Sequence, residues 1–427
     1  MSLDPTTRLL LALAAVLALS LGAARLAQRF GQPAVIGEIA IGIALGPTLL
    51  GRVLPDLHRQ LFTGAPLTVL GGLAQLAVSL YAFEIGAQLA AEAGTRRSAG
   101  HRSPLPLAAV SVAVPAAVGL ALAPWLVRSG GVGPHGSPGS FAVFLAAALG
   151  VTAVPVLARI LHDRGLDGTP EGRLSLAAAA VGDGACWTLL ALSLWLAGTL
   201  PAGHLALALA GVVGAGLLAR RRARAGRDAS RTAARVATGA RPGAALLLGA
   251  VCLAAALSSA LGLHTLFGGL VLGLLWPSAR GPHGELPATA ATGLGTLSTV
   301  LLPCFFLGAG QQVDLGAELT DPGFLALVGA VLAVSTAAKI LPCAAVGRRG
   351  GLPWRDSLRL GVLMNTKGLT ELVLLTAGQQ AGLISPRLYA ALLVVAVAAT
   401  VLAGPALLLL RERPRATAAE PVLAPTG

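Results

Sequence analysis

The stretch AAAVGDGACW, residues 178–187, places an aspartate between two glycines in the middle of an apolar run from Leu174 to Leu200. A run of this length can cross a bilayer as a helix, which needs about 20 residues. A carboxylate near the centre of such a helix costs about 2.5–3.5 kcal/mol on insertion, so it is retained where it faces protein or water. Asp183 is therefore the first candidate functional residue of the chain.

The composition of the 427 residues is that of a polytopic membrane protein. The chain is 55% hydrophobic and only 11% charged, whereas a soluble protein has about 25% charged residues. Its four cysteines have no metal-ligand spacing, which indicates buried small side chains rather than disulfides or a zinc site; they are Cys186, Cys252, Cys304 and Cys343.

Hydrophobic runs bounded by glycine, proline or arginine clusters predict an all-α protein with about thirteen transmembrane helices. The predicted spans are residues 8–28, 33–50, 66–90, 105–127, 140–161, 174–198, 202–219, 243–261, 263–277, 292–311, 323–346, 356–380 and 387–410. Together they form a predicted membrane domain over residues 1–410, followed by a short tail at 411–427.

The net charge of +13 is explained by topology rather than by nucleic-acid binding. Only Lys339 and Lys367 are lysines, and the arginines cluster in alternate loops, above all in the hydrophilic loop 220–242. Because cytoplasmic loops carry the excess of basic residues, we expect the N-terminus outside and the C-terminus in the cytoplasm, with the chain in the plasma (cell inner) membrane. The arginine-rich loop is interpreted as an anchor near anionic lipid.

Two segments of the chain echo each other. PAVIGEIAIGIALGP (33–47) resembles HTLFGGLVLGLLWP (264–277), and the two segments occupy the second and ninth predicted spans. An odd offset of seven spans turns the second copy upside down in the membrane, as in transporters built from inverted repeats. Spans 1–6 and 8–13 are therefore predicted to be inverted repeats, with span 7 as a linker.

The same offset relates two predicted helix breaks. The fifth span is interrupted at 150–155 and the twelfth at 365–368, where proline or glycine weakens the helix. Corresponding interrupted helices in two halves are the best sequence indication of a transporter binding site. The alternative for Pro155 alone is an ordinary proline kink.

Asp183 is the best candidate for binding a proton or a cation, because its flanking glycines leave room for an ion. Its alternative role is only to pair with Lys339. For Lys339 we consider two readings, which are extension of the side chain to the cytoplasmic surface and pairing with Asp183 or with the carbonyl end of a broken helix. Lys367 and Glu371 have the i, i+4 spacing of a helical salt bridge.

The remaining candidates are polar residues beside the breaks and two further acids. Thr152 offers a hydroxyl near free carbonyls, the hard oxygen ligands that alkali cations prefer, and Asn365 can serve the same purpose in the other break. Glu38 is interpreted as an entrance residue or a partner of a helix N-terminus rather than a ligand. Glu84 lies well inside the third span, and its role stays open.

These residues as a set resemble the monovalent cation:proton antiporters of the second large class, which include Kef-type bacterial systems and plant cation/proton exchangers. The segments that carry the resemblance are EIAIGIALGPTLLG (38–51), VTAVPVLARIL (151–161), AAAVGDGACW (178–187), LLPCFFLG (301–308) and LGVLMNTKGLTEL (360–372). They extend over nearly the whole chain in the order of the family.

The resemblance implies the NhaA-type antiporter fold, with thirteen helices, two crossing broken helices, a mobile core domain, a dimerisation domain and homodimers. It assigns the shared cation and proton site to Asp183 and the base that supports the crossover to Lys339. Relatives carry a second acid, Asn or Gln before that aspartate, where this chain has Gly182; electroneutral one-for-one exchange is therefore expected. Lys367 stands where the family has arginine, and Glu84 where it has an apolar residue, so a proton-carrying or gating role for Glu84 stays open.

We therefore predict a secondary antiporter that exchanges Na⁺ or K⁺ for H⁺, is not an enzyme, and uses no cofactor. The alternatives are a passive K⁺ efflux pathway and an ion-coupled carrier of organic solutes. The residues after the last span are too few for a domain and the chain has no glycine-rich phosphate loop, so an attached nucleotide-binding domain is not expected.

Overall fold

The computed structural model describes residues 4–95, 103–166, 169–203, 205–206, 210, 214, 244–261, 264–276 and 288–410. Within these ranges the regular secondary structure is helical, apart from one isolated bridge between Val132 and Ile384. The predicted arginine-rich loop 220–242 and the tail 411–427 lie outside the described residues, as does most of the seventh predicted span.

Nine helices precede residue 200 in the described part of the chain. They are α1 (Pro5–Arg29), α2 (Ala34–Ala44), α3 (Leu50–Val53), α4 (Pro55–Leu61), α5 (Ala65–Thr95), α6 (Leu105–Arg128), α7 (Pro138–Gly150), α8 (Val154–Asp163) and α9 (Pro170–Leu196).

The second half of the chain continues the numbering after residue 240. Its described helices are α10 (Ala244–Ala260), α11 (Thr265–Leu275), α12 (Ala288–Gln311), α13 (Leu315–Glu318), α14 (Pro322–Arg349), α15 (Trp354–Met364), α16 (Leu369–Gln380) and α17 (Pro386–Leu409). Seven helices of the described chain are long and apolar enough to cross a membrane, namely α1, α5, α6, α9, α12, α14 and α17. The chain is therefore a multi-pass membrane protein.

Apart from the seventh, the predicted spans coincide with these helices to within a few residues, and the largest difference is at the second span. The second span ends at Ala44 rather than at residue 50, because the chain turns at Gly46 and Pro47 cannot continue the helix. The short helices α3, α4 and α13 were not predicted. A total of thirteen transmembrane helices stays a prediction.

The helices pack into two groups. The first group contains α1, α2, α5, α10, α11 and α12, and the second contains α6 to α9 and α14 to α17. The two groups meet where α5 packs against α9 and where α2 packs against α17. An edge-to-face contact between Trp187 of α9 and Phe267 of α11, with ring centroids 5.6 Å apart, also joins them.

Glycines hold the first group together in a reciprocal arrangement. A Cβ at Gly37 of α2 would lie 2.2 Å from a backbone oxygen of α1, and one at Gly268 of α11 would lie 2.0 Å from a backbone oxygen of α10. A Cβ at Gly42 would lie 2.3 Å from a backbone oxygen of α12, and one at Gly273 would lie 2.1 Å from a backbone oxygen of α5. Each short helix thus packs on its own predecessor and on a long helix of the other half.

Candidate functional site

Two helices of the second group are interrupted at the predicted places. Helix α7 ends at Gly150 and α8 begins at Val154, while α15 ends at Met364 and α16 begins at Leu369. Pro155 lies in the first turn of α8, where its missing N–H would have no helical partner in any case. The backbone between the paired helices therefore runs unwound inside the protein.

The two unwound segments are joined to each other by hydrogen bonds. The N–H of Ala153 donates to the carbonyl of Thr366 at 2.9 Å, and the Thr152 hydroxyl donates to the carbonyl of Met364 at 2.8 Å. Thr152 is buried, and its oxygen retains lone pairs that can accept a hydrogen bond or coordinate a cation. The two breaks are thus parts of one site.

Lys339 holds the end of α7. Its ammonium donates to the carbonyl of Ser111 at 2.8 Å and to the carbonyl of Gly150, the last residue of that helix. The side chain is 1% exposed, so the predicted extension to the cytoplasmic surface is wrong, because both of its acceptors lie inside the protein. The contact with the carbonyl end of a broken helix also matches the helix dipole, which is negative at that end.

Lys367 and Glu371 form a buried ion pair with 2.7 Å between nitrogen and oxygen. Lys367 precedes α16 and Glu371 lies in its first turn, so the pair bridges the end of the break instead of lying along a helix surface. Thr400 of α17, which sequence reasoning missed, holds this segment by accepting the Lys367 N–H at 3.0 Å and donating to its carbonyl. A polar residue inside an apolar span was the signal that could have identified it.

Asp183 lies buried on α9, and neither of its carboxylate oxygens has a hydrogen-bond partner in the described part of the chain. The ion pairs recorded for that part do not include it. Lys339 interacts electrostatically with Asp183, but its hydrogen bonds go to the carbonyls of Ser111 and Gly150. The carboxylate therefore makes no hydrogen bond or ion pair with the described residues.

The two glycines beside Asp183 have different surroundings. A Cβ at Gly184 would meet no atom within 4 Å, whereas a Cβ at Gly182 would lie 3.3 Å from a methyl of Val112 on α6. Room for an ion beside the carboxylate stays a prediction, since the open space at Gly184 adjoins the exposed face of α9 at Ala185. A second acid in place of Gly182 would point into α6.

Asn365 lies at the end of α15, where its amide nitrogen is 3.5 Å from the hydroxyl of Thr336. Its side-chain oxygen is buried without a partner among the described residues, which leaves an acceptor free beside the break. Glu38 lies in the second turn of α2, in the other helix group; the hydrogen bonds and ion pairs of the described chain do not join it to the breaks.

Glu84 lies on α5, half-buried, with one carboxylate oxygen unpartnered. Tyr81 lies one turn before it and is not predicted from the sequence, although a tyrosine three residues from an intramembrane carboxylate is itself a signal. Of the cysteines, three are buried as predicted, but Cys252 is exposed because it lies on the outer face of α10.

This arrangement can bind small cations or protons. A buried, unpartnered carboxylate lies near helix ends whose unwound backbone offers carbonyl oxygens, and an ammonium balances charge nearby. Among the described residues, no group of three or more His, Cys, Asp or Glu side chains could hold a multivalent metal ion.

Comparisons with known proteins agree with this chemistry. Residues 15–410 match the family described as sodium/hydrogen exchanger, transmembrane. The chain is 33% identical over 94% of its length to the Na(+)/H(+) antiporter NhaS4 of Synechocystis, 97% of which is covered. It is 32% identical over 88% of its length to Cation/H(+) antiporter 18 of Arabidopsis thaliana and 28% identical over 88% to K(+)/H(+) antiporter 1 of Saccharomyces cerevisiae. The chain spans less than half the length of those last two relatives, 45% and 43%.

The fold is similar to a solved structure, that of the sodium proton antiporter MjNhaP1 from Methanocaldococcus jannaschii at pH 8. The TM-score is 0.51 at 15% sequence identity, and the match covers 95% of this chain and 100% of the other. At this identity the likeness concerns the fold alone.

Proposed function

Because this chain belongs to the sodium/hydrogen exchanger family of cation/proton antiporters, we propose that it exchanges a monovalent cation, Na⁺ or K⁺, for H⁺ at Asp183. The observation that carries the proposal is the buried Asp183 carboxylate, both oxygens of which lack a partner in the described chain. One carboxylate can hold a proton or a cation but not both, and this competition is what couples the two fluxes.

The groups around the breaks have supporting roles in this proposal. Thr152 and Asn365 supply oxygens near the site, while Lys339 and the Lys367–Glu371 pair stabilise the unwound segments. Unwound backbone is tolerated inside a membrane only where protein or a polar cavity satisfies it. These residues therefore allow a broken, ion-accessible backbone at this depth.

The two helix groups suit alternating access. Asp183 belongs to the second group, which meets the first through few elements, so the second group can shift against the first and expose the carboxylate to either side. The reciprocal glycine packing of α2 and α11 supports the predicted inverted repeats. The homodimer, the plasma membrane location, the outside N-terminus and the cytoplasmic C-terminus are further parts of this proposal.

The test measures cation-driven proton movement in everted membrane vesicles. Fluorescence dequenching reports this movement after addition of Na⁺, K⁺ or Li⁺ over a pH series. We expect Asp183→Asn to abolish exchange, because the amide cannot alternate between proton and cation. In the parent protein the half-saturating cation concentration should rise as pH falls, since protons compete for the carboxylate. The matched control is Asp314→Asn, which removes a surface carboxylate that pairs with Arg52.

Three results would contradict the proposal. Full exchange by Asp183→Asn would remove the site assignment. Cation flux that ignores an imposed proton gradient would indicate the passive channel, and dependence on an added organic solute would indicate the solute carrier.

A further inference from the structure

Helices α5 and α12 of the first helix group carry three buried oxygen atoms that have no hydrogen-bond partner in the described chain. These atoms are the Tyr81 hydroxyl, one Glu84 carboxylate oxygen and the Ser298 hydroxyl. Tyr81 is 8% exposed and Ser298 1%. A serine inside a helix commonly donates to a carbonyl of the preceding turn, as Ser79 of α5 does to Gln75, and Ser298 departs from this pattern.

The Glu84 carboxylate lies against the backbone of α12. A Cβ at Gly295 of α12 would lie 3.3 Å from Glu84 Oε1, which is the carboxylate oxygen without a partner. Gly295 therefore leaves the space that this oxygen occupies, and a larger side chain there would press on it. The carboxylate thus projects into the interface between the two helices.

Helices α5 and α12 run in opposite directions. A ring nitrogen of His58 on α4 lies 2.9 Å from the side-chain oxygen of Gln311, the last residue of α12, and α5 begins seven residues after His58, at Ala65. Glu84 is about 28 Å from the start of α5, and Gly295 is about 24 Å from the end of α12, at 1.5 Å per residue. The two residues can meet only if α5 runs back along α12 from the end of that helix.

This direction brings Tyr81 and Ser298 to the same level of the interface. Tyr81 lies three residues before the acid and Ser298 three residues after the glycine, so each is one turn from their contact, on the same helix face. In an antiparallel pair both steps lead toward the same end. The neighbouring side chains Leu80 and Leu297 belong to one apolar cluster, as this register requires.

Buried polar oxygens without partners are rare in folded proteins, because each loses its hydration without compensation. A bound ligand relieves that loss. Two neutral hydroxyls and one carboxylate offer hard oxygen donors and a single negative charge, which match one alkali cation rather than a soft metal. The three oxygens therefore indicate a ligand of this class.

We propose that Tyr81, Glu84 and Ser298 bind one alkali cation, Na⁺ or K⁺, between α5 and α12, as a second cation site within the first helix group. All three side chains belong to helices of that group, whereas Asp183 lies on α9 of the second. The cation consequently stays with the first group and holds α5 to α12, while the second group carries the exchanged ion. The inference does not depend on which residue exchanges ions.

The test is the melting temperature of the purified full-length protein in detergent. Na⁺, K⁺ or Li⁺ is titrated against N-methylglucamine at constant ionic strength. The background is Asp183→Asn, because that change removes the carboxylate of the proposed exchange site and its electrostatic interaction with Tyr81. We expect saturating cation to raise the melting temperature by about 2–5 °C, since the cation binds only the folded protein.

Substitution of each ligand should change this rise in a defined way. Glu84→Gln in the same background should abolish it, because the amide brings no charge to balance the cation. Ser298→Ala and Tyr81→Phe should each raise the half-saturating cation concentration about 2- to 10-fold, the usual effect of losing one hydrogen-bonding oxygen.

The controls remove the same chemical groups elsewhere. Ser79→Ala removes a buried hydroxyl of α5 that is already bonded to its own helix. Tyr389→Phe removes the only other tyrosine hydroxyl of the chain, and Glu318→Gln removes a carboxylate that pairs with Arg387. All three should keep the full rise and the half-saturating concentration of Asp183→Asn alone.

The outcomes decide the inference. Equal melting temperatures in the three cations and in N-methylglucamine overturn it and leave water or a proton as the occupant of the cluster. A rise that survives Glu84→Gln also overturns it. If Glu84→Gln does not accumulate, Ser298→Ala decides, and an unchanged half-saturating concentration in that variant overturns the inference. Exchange by Asp183→Asn in vesicles overturns the proposed exchange site alone, so the two proposals fail separately.

Discussion

The two lysines of the chain are both 1% exposed, but they act differently: Lys339 reaches the first break from within α14, and Lys367 lies in the second break. Lys339 donates to two backbone carbonyls, whereas Lys367 pairs with Glu371. A buried ammonium is expensive unless several acceptors surround it. Lys339 satisfies this condition with carbonyls that the end of α7 leaves free, and Asp183 consequently keeps both of its oxygens available.

Replacing Lys339 tests whether its hydrogen bonds to the two carbonyls stabilise the protein. We expect Lys339→Met to lower the melting temperature of the purified protein in detergent, because the carbonyls of Ser111 and Gly150 lose their donor at about 1–3 kcal/mol each. Differential scanning fluorimetry measures the change, and Arg349→Met, at an exposed position on the same helix, is the control. Equal melting temperatures for Lys339→Met and the parent would show that the carbonyls find other donors.

At the scale of elements, glycines allow the short helices α2 and α11 to pack closely against their neighbours in the first group. Their backbones approach neighbouring backbones so closely that a single added methyl group at Gly42 or Gly273 would overlap a carbonyl oxygen. Close backbone approach through small residues is how helices associate in a membrane, where lipid provides no hydrophobic drive between them. The glycine pattern therefore specifies which helices touch.

Alanine at these positions should be destabilising. We expect Gly42→Ala and Gly273→Ala each to cost about 1–3 kcal/mol through overpacking, measured as lower melting temperature in detergent. Gly249→Ala on α10, where a Cβ would meet nothing within 4 Å, should be neutral or stabilising by up to about 1 kcal/mol, since alanine favours helix. If all three variants have the same melting temperature, close packing at Gly42 and Gly273 does not determine the stability of the protein.

At the scale of the whole molecule, the proposed ion site lies beside a contact between the two helix groups. Asp183 and the two breaks belong to one group, and Trp187, one turn after Asp183 on α9, packs edge to face on Phe267 of the other group. A relative movement of the groups would change the surroundings of the carboxylate. In the proposed exchange, cation binding and the position of the groups are therefore linked.

Exchange should be insensitive to membrane potential. Asp183 has Gly182 beside it instead of a second acid, so one proton replaces one cation in the moving group and no net charge crosses. We expect an imposed potential of either sign to leave the rate of Na⁺-driven exchange in proteoliposomes unchanged. A rate that follows the potential would contradict electroneutral exchange.

The sequence by itself determined the membrane class, the places where two helices break, the family, and Asp183 as the outstanding acid. Each of these depends on local features, namely the length of an apolar run, a proline or glycine within it, or a charge where charge is expensive. Only the tertiary structure decided that Lys339 bonds to carbonyls and that Thr400 holds the second break. Those contacts join residues far apart in the chain, and their partners are selected by how the helices pack, which no single segment encodes.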